Sequence, residues 1–131
     1  MASRLERLKK LLAVQEQLKA LHEVRHAGFV AEASAAKQEA TDLVDSFNGN
    51  AALSALFPEI YHRRIGAALA REDANRGMAR SEAAKVATAT VRTNMVERSY
   101  REVRLVDERE KGDRERLDMI GQRRPPSGSG K

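Results

Sequence analysis

The chain has 131 residues, of which 33% are charged and 4% aromatic, with a formal net charge of +5 and no cysteine. That composition is poor in the material of a globular core, and it excludes disulfides, thiolate metal sites and cysteine nucleophiles. Ala, Glu, Arg and Lys favour exposed helix, and no run of β-branched and aromatic residues marks a strand, so the expected fold is all-α with long helices.

No segment approaches 18 consecutive apolar residues, and residues 1–10 are charged where a signal peptide needs an apolar run. Both points favour a soluble, unexported protein. The pI near 9.9 raises nucleic-acid binding as an alternative. Against it, the arginines of the last third alternate with Glu97, Glu102, Asp107, Glu108, Glu110, Asp113, Glu115 and Asp118. Interleaved signs mark a solvated helix face rather than a phosphate-binding patch.

A first helix is expected over about 3–47, with Ser3 as N-cap and Glu6 three residues later in a capping box. Its opening apolar stripe is Leu5, Leu8, Leu11, Leu12, Val14, Leu18, Leu21 and Val24. Farther on, Phe29, Ala33, Ala36, Ala40, Leu43 and Phe47 alternate four and three residues apart, after a slip of register between Leu21 and Phe29 that reads as a stammer. The alanines imply close approach of a partner helix.

Within this helix His22-Glu23-Val24-Arg25-His26 spells HExxH, the pattern in which two histidines one turn apart bind zinc and the glutamate activates water. A catalytic zinc also needs a third protein ligand, and the remaining histidine is His62; Phe29 stands where the extended motif has glycine. A zinc peptidase is therefore the remote alternative. No nucleophile elbow, phosphate-binding loop or calcium loop occurs, so no catalytic, metal or cofactor-binding residue is assigned and a non-enzymatic protein is expected.

Asn48-Gly49-Asn50 suits a left-handed C-cap, placing a reversal over about 48–57 with one helical turn at 51–56. Pro58 then starts a second helix expected to reach Gly121. Ile60, Tyr61, Ile65, Ala68 and Leu69 open its apolar face, and Val86, Ala89, Thr93, Val96, Tyr100 and Val103 form a heptad seam. Asn75-Arg76-Gly77 is its weakest point, yet the pattern persists through Met78, Ala79 and Ala83, favouring continuity. Beyond Val103 the seam turns polar, and Glu97–Arg101, Asp107–Lys111 and Glu110–Arg114 are expected to hold a projecting segment helical. Residues 122–131, with Pro125-Pro126 and a Ser-Gly run, are expected to be a disordered tail.

These elements predict an antiparallel two-helix coiled coil with an overhanging C-terminal end, monomeric because the hairpin satisfies its own seam. Phe47, Phe57 and Tyr61 around the reversal either close the hairpin end or anchor a partner.

The runs LERLKKLL at 5–12, FPEIYHRRIGAAL at 57–69 and RLDMIGQR at 116–123 resemble the FliJ/YscO family, coiled-coil proteins of flagellar and type III secretion export. The resemblance implies a cytoplasmic component, peripheral to the inner-membrane export apparatus, shaped like the shaft of a rotary ATPase. Its implied partners are the hexameric export ATPase, the cytoplasmic domain of the export gate and export chaperones. Carried over by position, Tyr61, Ile65 and Ala68, with Phe47, would face the gate; Glu72 stands where some members have histidine. Arg109 and Arg116 lie in the charged end that would enter the ATPase pore.

Overall fold

The computed structural model describes residues 2–123, with α1 (Arg4–Gly49), α2 (Ala51–Leu56) and α3 (Pro58–Arg123). Among the described residues there is no strand, and α1 packs antiparallel along α3 as a helical hairpin. At 1.5 Å per residue, α1's 46 residues span about 69 Å and α3's 66 about 99 Å.

α1 starts where its cap dictates. Ser3 adopts an extended backbone and its hydroxyl accepts from the Glu6 N–H at 3.2 Å, satisfying one of the donors a helix start leaves open. The far end departs from expectation. α1 runs on through Gly49, and Asn50 ends it at φ −127° with its N–H donating to Ser46 O at 3.1 Å, so no left-handed cap is used. The Ser54 hydroxyl donates to the carbonyls of Asn50 (2.9 Å) and Ala51 (3.2 Å), tying α2 into a single compact turn. Pro58 opens α3, where its missing N–H costs nothing.

The seam is an unbroken heptad on both helices. On α3 the buried and half-buried positions run Tyr61, Ile65, Ala68, Glu72, Asn75, Ala79, Glu82, Val86, Ala89, Thr93, Val96, Tyr100 and Val103. On α1 they run Leu5, Leu8, Leu12, Gln15, Lys19, His22, His26, Phe29, Ala33, Ala36, Ala40, Leu43 and Phe47. The expected stammer is absent. The sequence follows Leu11, Val14, Leu18 and Leu21, whereas the fold takes the polar line beside them and leaves those four exposed.

Small side chains dominate the core: Ala33, Ala36, Ala40, Ala68, Ala79 and Ala89 are buried, with Leu43 the largest apolar residue among them. Alanines on both helices let the backbones come close, which excludes water without large side chains. α3 passes through Asn75-Arg76-Gly77 without a break, and Asn75 turns its amide back onto Arg71 O at 2.9 Å. Thr93, buried in the seam, satisfies its hydroxyl on Ala89 O at 2.7 Å.

From residue 104 to 122 every residue except Gly112 is exposed, so about 30 Å of α3 projects past the start of α1. This overhang continues to Arg123, two residues beyond the expected end. Residues 124–131, most of the expected tail, lie outside the described residues. Arg104 pairs with Glu108 at 3.1 Å and Arg116 with Asp113 at 3.2 Å, while the expected Asp107–Lys111 and Glu110–Arg114 pairs do not form. Glu97–Arg101 forms as expected.

Candidate partner-binding surfaces

The reversal brings together the residues expected to face a gate, three of them half-buried and one enclosed. Phe47 meets Tyr61 edge-on with centroids 5.5 Å apart, and His62 flanks the same ring at 5.4 Å. Tyr61 and Ile65 are half-buried in the seam, and Ala68 is wholly buried. Of this set Ala68 presents no atom to a partner, whereas Phe47, Tyr61 and Ile65 pack at the end of the hairpin and keep part of their surface open.

Among the described side chains, the tip exposes Leu56 (69%), Phe57 (50%) and Ile60 (51%). Phe57, Ile60, Tyr61 and Arg64 line a shallow cavity of about 230 Å³. Their spacing of three, four and seven residues from Phe57 was a legible signal for one helix face. Burying three such side chains against a partner is the kind of contact that dominates interface energy.

The opposite end has different chemistry. Arg109 and Arg116 stand exposed on the overhang, where acidic and basic residues alternate, with Arg116 bonded to Asp113. From Ile60 to Arg109 and Arg116 the helix rises about 74 and 84 Å, so tip and overhang are separate sites on one rod.

Between them lies a polar layer. His22 and His26 of the HExxH run point into the seam, where the His22 Nδ1–H donates to Glu82 Oε2 at 2.7 Å. Glu82 is 3% exposed and takes a second, weaker contact from Lys85 Nζ at 3.4 Å. The hydrogen bond from His22 holds the Glu82 carboxyl below its ordinary value against the opposing effect of desolvation, with Lys85 assisting. Glu23, the residue a zinc peptidase would use as base, faces outward toward Lys19 at 3.9 Å. His62 sits at the tip, 20 residues or about 30 Å along α3 from Glu82. Among the described residues no three His, Cys, Asp or Glu side chains group to hold a metal. Nothing in the sequence singles out Glu82, because a lone glutamate at a heptad position looks like one more surface charge.

Protein-family models, curated proteins and solved structures were compared with the chain. None of them matches. The functional reading therefore rests on the sequence resemblance together with the fold and its surfaces. No helix among the described residues is long and apolar enough to cross a membrane.

Proposed function

We propose that this protein is a non-enzymatic coiled-coil component of a flagellar or type III protein export apparatus, acting as a stalk of the export ATPase that contacts the export gate and escorts export chaperones. The observation that carries the reading is one rod with two unlike ends: an apolar tip at Leu56, Phe57 and Ile60, and a slender, charge-alternating overhang more than 70 Å away. A shaft in a ring pore needs contacts weak enough to change, and exposed ion pairs contribute only about 0–1 kcal/mol each. A docking end needs the reverse, an apolar anchor that stays in place.

The mechanism that follows is mechanical coupling. The overhang, with Arg109 and Arg116, enters the ATPase hexamer, and the tip, with Tyr61 at its edge, holds the cytoplasmic domain of the gate. Binding to the purified ATPase and gate domain of the same organism tests it. Phe57→Ala with Ile60→Ala should abolish gate binding and leave ATPase binding and helicity unchanged; Arg109→Glu with Arg116→Glu should do the opposite. Loss of both partners by either pair of substitutions would refute the two-ended stalk.

A further inference from the structure

α1 carries more apolar side chain than its seam takes up. Leu11, Val14, Leu18 and Leu21 each stand one residue ahead of a seam position, so they form a stripe parallel to the seam and rotated from it by about 100°. They are 43%, 49%, 40% and 44% exposed. Four large aliphatic residues at heptad spacing, all left open, are a second helix-packing edge.

The stripe borders a trough between the two helices. Leu18 shares with Gln15 and His22 of α1, and with Lys85, Thr88 and Arg92 of α3, an open cavity of about 350 Å³. The exposed charges that line it are basic, above the buried Glu82 carboxylate that His22 and Lys85 contact. Arg7 precedes Leu11 by one turn, Lys10 precedes Val14 by one turn and Arg25 follows Leu21 by one turn, so all three lie beside the stripe, while Lys85 and Arg92 edge the far side. The acids of this part of α1, Glu6, Glu16 and Glu23, each follow a seam residue and therefore fall on the opposite flank.

We propose that this trough is a docking site for an acidic amphipathic helix of a partner protein, its apolar edge against Leu11, Val14, Leu18 and Leu21 and its carboxylates against the surrounding Arg and Lys. Charge decides the occupant. A second copy of this chain would set the same cations against each other, and like-charge juxtaposition suppresses such a pairing. An anionic lipid surface is flat, whereas the site is concave and its α3 side is polar at Lys85, Thr88 and Arg92. Helix-in-groove binding uses this combination of apolar anchors and flanking charge. The site uses neither the tip nor the overhang, so it stands or falls separately from the export reading.

The test is fluorescence anisotropy of the full-length chain with a labelled synthetic helix, leucines at heptad spacing and glutamates beside them. Binding should saturate, weaken with added salt, and fall at least about tenfold when the flanking glutamates become lysines. Val14→Ser with Leu18→Ser should lower affinity at least about tenfold with helicity unchanged, as should Arg7→Glu with Arg92→Glu, which touches no apolar contact and serves if the first pair unfolds. Equal binding of the acidic and basic helices, or indifference to both variants, overturns the site. So does concentration-dependent dimerisation lost in the Leu18 variant, which makes a second copy the occupant, or co-sedimentation with phosphatidylserine vesicles without peptide binding.

Discussion

At the scale of single residues, Glu82 is the side chain whose position most constrains its chemistry. A carboxylate 3% exposed in a helix seam is tolerable because His22 donates to it at 2.7 Å and Lys85 approaches at 3.4 Å. Its lowered folded-state value means that folding favours the ionised form, so its contribution is complete above the ordinary value of 4.5 and is lost as pH falls through the lowered one. Thermal melts from neutral to strongly acid pH should show stability dropping below that value, and Glu82→Gln should flatten this part of the profile. At neutral pH, Glu82→Ala should lower the melting temperature by leaving the His22 N–H without an acceptor.

Among elements, the alanine seam sets the spacing of α1 and α3 and therefore their tolerance to substitution. Ala68 is fully enclosed, so Ala68→Leu should force the helices apart at a cost of about 1–3 kcal/mol, measured by chemical denaturation. Gly77 offers the reverse case. An added Cβ there would meet only the Arg80 guanidinium at 3.9 Å, an ordinary contact, and α3 is already continuous through it. Gly77→Ala should raise the unfolding free energy by about 1 kcal/mol, the helix-propensity difference, measured in the same way.

For the whole molecule, shape is the property that distinguishes this fold from a compact domain of equal length. A rod about 99 Å long has a radius of gyration near 29 Å, against about 14 Å for a globule of 131 residues. Small-angle scattering should give the larger value. Because residues 104–122 bury almost nothing, truncation after Val103 should leave the denaturation midpoint of the hairpin unchanged while removing ATPase binding. A drop in midpoint would mean that the overhang folds back onto the hairpin.

The sequence by itself determined the elements: the Ser3 cap, the reversal after Phe47, the Pro58 start, the continuity of α3 and the heptad from Val86 to Val103 all follow from local propensity and spacing. It also placed Phe47 and Tyr61 at the end of the hairpin, though not which way their neighbours face. Only the tertiary structure decided which of two adjacent stripes on α1 enters the seam. The greasier line through Leu11, Val14, Leu18 and Leu21 cannot join Phe29 and Ala33 without a local change of winding. α3 presents an unbroken heptad from Tyr61 to Val103, and two helices that pack along their length must share one line of contact. α1 therefore buries Gln15, Lys19, His22 and His26 part-way, with Glu82 accepting from His22, and turns its leucines outward. A single helix read alone has no reason to prefer the polar line; the reason lies in the register of its partner.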